Sequence, residues 1–437
     1  MKRTSYLLFA ILLIGSFVLG ACTSQTSTAP QAPVTQAPAA AEEITIEYWV
    51  FADYGTGAAG DLQNTFIKEF EASHPGVKIV MSAKNDDELS TGVLTAAASK
   101  TLPDLYMQTE DMGAQDIAVN AMENLYGRWM AMPETYRSQF NPAMIADMTP
   151  QANTMWGMPY TGFSNFLYRN LTVLKAAGID PNEPVNDWDT FLAQMQKIKD
   201  AGYDAMGTYS DEPEDTVVYY SGVASEAEWG IDFVNKKTLI NPDKFAQMME
   251  FLVEARKYGP ELGNRSQGAT DLFLANKLAF VVSGPWKNVT FQEAKKNTGL
   301  EFDFIVNPGA TADNTSGARG TELIALAPNS THKDIAWEFV TYICDEPQMT
   351  RWATLLSRYN SNLVTMSTVK DSLLDITGQA AKSALLLKPP TFKKAYPGNY
   401  FQTILDTMAE IEAGQTSPID GANAMIQKLN EVIAAEE

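Results

Sequence analysis

Cysteine and histidine are nearly missing from this chain, with two of each among 437 residues. Cys22 lies in the N-terminal leader, so the body holds Cys344 alone and no intrachain disulfide is expected. Cys344 sits at helical spacing behind Ala336, Phe339, Val340 and Ile343, which predicts a buried structural thiol. His74 falls in the turn "SHPG" and His332 at a helix start, neither close to a second ligand, so no metal site is expected. No G-x-S-x-G is present, and a Ser-His-Asp triad would have to use one of those two histidines; catalytic residues are accordingly not assigned. Basic residues are scarce as well, 32 against 53 acidic, for a net charge of −21. A surface so acidic repels nucleic acid and anionic headgroups, which makes both poor partners; no nucleic acid is expected.

Long apolar runs are also lacking. The run Tyr6–Leu19 is shorter than the ~20 residues that span a bilayer, and it follows Lys2 and Arg3 as the apolar part of a secretion signal does. It ends in Leu19-Gly20-Ala21-Cys22, which resembles a bacterial lipobox, with cleavage before Cys22 and a lipid on that residue. The following "TSQTSTAPQAPVTQAPAAA" has no charge and almost no large apolar side chain, so it cannot bury a core and reads as a tether. The expected order is a signal at 1–21, a lipidated cysteine and disordered tether at 22–43, then the folded body. The protein is expected outside the cytoplasm, lipid-anchored at the outer face of the cytoplasmic membrane or in a periplasm.

At the start of the body, "YWVFADYGTGAAG" contains Gly55, Gly57 and Gly60 in the spacing G-x-G-x-x-G, between an expected strand at 44–51 and an expected helix from Asp61. The dinucleotide reading fails on its surroundings. Ala52, Asp53 and Tyr54 separate the strand from the first glycine, and the next strand, "VKIVMSA", ends without the acid that holds a ribose. No cofactor is expected. The glycines read either as a turn at the edge of a ligand cleft or as a purely structural cap.

Strands and helices alternate from there, which predicts an α/β fold of parallel-sheet lobes. "LPDLYMQ" supplies a third strand, and "WDTFLAQMQKIK" sets Trp188, Phe191, Leu192, Met195 and Ile198 on one helical face. In open α/β sheets, ligands bind beyond the carboxyl ends of the strands. That rule alone places the loops 49–57 and 108–113 at a cleft, with Asp53, Asp111 and Gln108 able to hydrogen-bond a hydroxyl-rich ligand. Trp49 suits stacking and core packing equally.

Six stretches, in order, resemble the family 1 extracellular solute-binding proteins of ABC importers, the family of maltose-binding protein. They are "FIKEFEASHPGVKI", "TLPDLYMQ", "MWGMPYTGFSNFLYRNLTVLKAAGID", "VNDWDTFLAQMQKIKDAGY", "DLFLANKLAFVVSGPW" and "ELIALAPNSTHKDIAWEFVTYICDEP". The resemblance implies two lobes, each a mostly parallel sheet flanked by helices, with the ligand between them. The lobes would be 44–158 plus 302–356 and 159–301 plus 357–437, with crossings near 157–163, 301 and 357. It further implies a carbohydrate ligand, delivery to the transmembrane subunits of an ABC permease, a monomer, and no enzymatic activity.

Residue by residue, the resemblance matches Trp286, which Gly284-Pro285 turns onto a loop, to an aromatic that stacks on sugar; packing between the lobes is the other reading. Glu212 falls where sugar binders carry a ligand-contacting acid, although the run Asp211, Glu212, Glu214, Asp215 also suits a solvated face. A pair of carboxylates there is what a secreted carbohydrate-active enzyme would need. Tyr400 falls near another family aromatic. Arg319, between Ala318 and Gly320, offers a guanidinium to hydroxyls or an anion. Were Arg319, Arg358 and Lys287 to converge, they would admit a phosphorylated polyol such as glycerol 3-phosphate.

Overall fold

The computed structural model describes residues 43–207, 213–232, 234–260, 265–386 and 399–435. The expected secretion signal, Cys22, the tether, Asp211 and Glu212 lie outside the described residues. Among those described, no helix is long and apolar enough to cross a membrane.

The first sheet begins with Ile44–Phe51, whose alternation buries Ile46, Tyr48 and Val50 and leaves Glu47 in solvent. Val77–Lys84 and Leu105–Thr109 pair with it in parallel, one on each side. Ala318–Leu326 adds antiparallel to Leu105–Thr109 and also pairs with Met158–Ser164, while Leu385–Leu386 extends the edge. Helices cover this sheet through Phe66, Phe70, Phe339 and Trp352, all buried in its core. Cys344 is part of that core, and burial raises its thiol pKa well above the ordinary value.

The second sheet runs Phe302–Ile305, Phe166–Asn170, Leu278–Ser283, Asp204–Met206. Helix Trp188–Asp200 packs there as its periodicity predicts, with Trp188 stacked on Phe251 at 4.3 Å; Gln194 takes a buried place and Leu192 lies half in solvent. An Asp187–Thr190 capping box starts that helix, as an Asn85–Glu88 box starts Asp86–Ser99.

Two expectations need correction. Strand direction in the second sheet is not mostly parallel: Phe166–Asn170 runs antiparallel to both neighbours, and only the Asp204–Met206 pairing with Leu278–Ser283 is parallel. Phe302–Ile305 also belongs to this sheet rather than the first. Both follow from chain path. Phe166–Asn170 carries the chain into this sheet and Phe302–Ile305 carries it back, so the two must oppose each other. The return crossing therefore falls between Ile305 and Ala318. The third segment, Tyr359–Asn362, stays hydrogen-bonded to the first crossing strand through Gly162 N to Tyr359 O and Ser361 N to Tyr160 O.

Candidate functional site

The crossing segments separate two hollows, because consecutive residues of an extended chain face opposite ways. Gly162, Thr321 and Tyr359 line a groove of about 950 Å³ on one side. Glu322 and Arg358 line a cavity of about 840 Å³ on the other, and Phe163 borders both. The second hollow lies at the carboxyl ends of three parallel strands, where Phe51–Asp53, Asn85–Asp87 and Gln108, Thr109, Asp111 and Met112 form its wall. Trp286, from the other sheet, faces them.

Glycines make room for the aromatic side of this cavity. A Cβ on Gly284 would lie 2.0 Å from the Trp286 ring, and one on Gly320 would lie 2.4 Å from the Phe163 ring. The two rings meet edge to face at 5.4 Å. The carboxylate side holds Asp53, Asp86, Asp87, Asp111 and Glu322. Burial, then the charges of Asp53, Asp87 and Asp111, raise the Asp86 pKa, so these groups feel one another. Glu322 accepts hydrogen bonds from Tyr54 and Thr161, and burial raises its pKa as well.

Among the described residues lining this cavity, Arg358 is the one cation. It donates to Asp53 Oδ2 at 2.5 Å and lies over the Tyr54 ring at 4.7 Å. Burial works against its charge, but Tyr54, Asp53 and Glu322 outweigh that effect and raise its pKa. Asp53, Tyr54, Thr161, Glu322 and Arg358 thus tie the helical turn Ala52–Gly55 to the strands Met158–Ser164 and Ala318–Leu326 and to the chain just before Tyr359.

The structure sorts the residues singled out in the sequence. Asp53, Gln108, Asp111 and Trp286 line the cavity. Gln108 is only 1% exposed, and its amide is engaged inward: Nε2 donates to Asp116 at 3.1 Å, and Oε1 accepts from Thr109 N. Trp49 packs against the first core, with Lys84 over its ring at 4.4 Å. Arg319 is not at this cavity. It lines the opposite groove, where it bonds Asp147 at 3.2 Å and Glu226 at 2.6 Å. Lys287 lines neither hollow, so Arg319, Arg358 and Lys287 do not converge. Tyr400 is a core residue of the second lobe, fully buried, its hydroxyl bonded to Thr238 at 2.8 Å. Sequence reading missed Phe163, Asp86 and Asp87. Phe163 lay within the stretch read as a crossing, and the two aspartates form the first turn of helix Asp86–Ser99.

The three glycines have structural reasons. Gly57 adopts a φ of 57°, a Cβ on Gly55 would lie 2.5 Å from that of Ala83, and one on Gly60 would lie 2.5 Å from Gly55 O. None of them lines the cavity. Among the described residues no group of His, Cys, Asp and Glu side chains is arranged to hold a metal ion.

Residues 65–369 match the family model described as bacterial extracellular solute-binding protein. The sn-glycerol-3-phosphate-binding periplasmic protein of Brucella abortus is 27% identical over 240 residues, covering 52% of this chain and 54% of that protein. Its counterpart in Rhizobium meliloti is 25% identical over the same length, so the chain spans about half the length of the curated relatives it matches. Among solved structures, the GacH receptor of Streptomyces glaucescens superposes with a TM-score of 0.74 at 17% identity, covering 90% of this chain and 99% of that one. The maltotriose binding protein of Thermus thermophilus gives 0.72 at 17% identity over 89% and 100%. The fold is that of these two-lobed binding proteins, and the chain belongs to the bacterial extracellular solute-binding protein family.

Proposed function

We propose that the protein captures a mono- or oligosaccharide in the cavity bounded by Trp286 and Phe163 and delivers it to the permease of an ABC importer. The observation that carries this reading is the pairing of an aromatic wall with a carboxylate wall across one cavity between two lobes. A pyranose presents C–H groups on its faces and hydroxyls at its rim. Trp286 suits the first, and Asp53 and Asp111 accept hydrogen bonds from the second. Closure of the lobes excludes water and strengthens both kinds of contact. Solved relatives in the fold support a sugar, since one from Thermotoga lettingae was solved with alpha-D-tagatose and the Thermus thermophilus protein with maltotriose. In this reading the protein performs no chemistry, acts as a monomer, and is held outside the cytoplasm by a lipid on Cys22.

A phosphorylated polyol is the second reading, favoured by the names of the curated relatives. The cavity gives it less support, because Arg358 is already paired with Asp53 among further carboxylates. Thermal unfolding across a panel of neutral carbohydrates and glycerol 3-phosphate separates the two. A ligand at 100 times its dissociation constant adds about 2.7 kcal/mol, a shift of a few degrees. A shift with a neutral sugar supports the first reading, a shift with glycerol 3-phosphate alone supports the second, and no shift with any carbohydrate refutes the first.

A further inference from the structure

We infer that Asp53 is a specificity-determining residue: by holding Arg358 in an ion pair, it closes the cavity to anionic ligands. The inference rests on reading this cavity as the ligand cleft. Arg358 is the residue on this wall chemically suited to a phosphate, since a guanidinium matches phosphate oxygens in charge and geometry. Its availability is what the structure restricts. One nitrogen is taken by Asp53 Oδ2 at 2.5 Å, the planar group rests on the Tyr54 ring, and the Arg358 side chain is 15% exposed. The Asp53 side chain is 46% exposed and so faces the space a ligand would fill. An entering phosphate would have to displace one carboxylate from Arg358 while lying near Asp111 and Glu322. A neutral hydroxyl meets no such penalty, because it donates to the carboxylates and leaves the pair intact.

The pair also explains why Arg358 is retained. Through Tyr54, whose hydroxyl bonds Thr161 and Glu322, Asp53 and Arg358 belong to the network that joins the strands Met158–Ser164 and Ala318–Leu326. The guanidinium is therefore a structural cation there, with Asp53 as its counter-ion. Specificity against anions follows from that arrangement without a dedicated repulsive group.

Asp53→Asn keeps the shape of the side chain and removes its charge. Calorimetric titration of parent and variant with glycerol 3-phosphate, and with glycerol as its uncharged counterpart, reads the effect. The variant is expected to bind glycerol 3-phosphate at least about tenfold more tightly than the parent, the gain from releasing one charge-assisted contact, and to show no such gain for glycerol, which loses a carboxylate acceptor. Asp189→Asn, on an exposed helix start away from the cavity, controls for net charge and is expected to show no gain. Adding Arg358→Gln to Asp53→Asn is expected to abolish the gain. Thermal unfolding verifies that each variant folds, and Asp53→Ser supplies a second neutral replacement. Equal affinity of parent and variant for glycerol 3-phosphate overturns the inference, as does a gain that survives Arg358→Gln or is matched by Asp189→Asn. A gain at Asp53 with no carbohydrate bound by the parent supports the inference and refutes only the sugar reading.

Discussion

Asp116 lies behind the cavity wall, 1% exposed, and its environment makes the stability of this protein depend on pH in a calculable way. Burial raises its pKa from 3.8 to about 7, while the Gln108 hydrogen bond opposes that rise and the charge of Asp111 adds to it. Folding thus holds this carboxyl protonated across an interval in which the unfolded chain has lost the proton. The unfolded state binds fewer protons there, so stability falls as pH rises, by about 1.4 kcal/mol per pH unit and about 4 kcal/mol in all. Asp116→Asn preserves an acceptor for Gln108 Nε2 and cannot titrate. Urea unfolding of parent and variant from pH 5 to pH 8 gives the difference directly. The variant is expected to gain about 2–3 kcal/mol relative to the parent over that range, most of it below pH 7. Glu110, also raised by burial, is common to both proteins and cancels. Parallel curves, or a parent that gains on the variant as pH rises, would refute the reasoning.

Two further outcomes follow from the buried groups. Tyr400→Phe loses the hydrogen bonds to Thr238 and Gly230 and is expected to cost about 1–2 kcal/mol by urea unfolding; its carbohydrate affinity should match the parent's, because the residue lies in the core. Cys344, fully buried and with its thiol pKa raised by burial, should resist a thiol reagent in the folded protein and react once urea unfolds it, as followed by absorbance.

Local pattern made much of the first lobe legible. The strand at 44–51 and the carboxyl-end rule carry Asp53 and Asp111 to the cavity, because both depend on residues close in sequence; Trp286, in the second lobe, was put on its loop by Gly284-Pro285 and beside the ligand by the family resemblance. Arg319 shows where that reasoning ends. Which hollow it faces depends on strand parity and on the register shift between Glu322 and Leu323, set by pairing with Met158–Ser164 more than 150 residues earlier. Tyr400 misled for a related reason: its helix is amphipathic, and which face meets the second core is decided by packing partners distant in sequence. Phe163 was hidden because its partners, Gly320 and Trp286, come from two other parts of the chain. The antiparallel entry of the second sheet likewise belongs to chain path rather than to composition.

The central claim is that the cavity between Trp286 and the carboxylate wall holds a carbohydrate. Its most direct test is calorimetric titration of parent and Trp286→Ala with the sugar that stabilises the parent most. The account predicts one site per chain in the parent and at least about a tenfold loss in Trp286→Ala, the scale of a lost aromatic contact. Unchanged affinity in Trp286→Ala would contradict it.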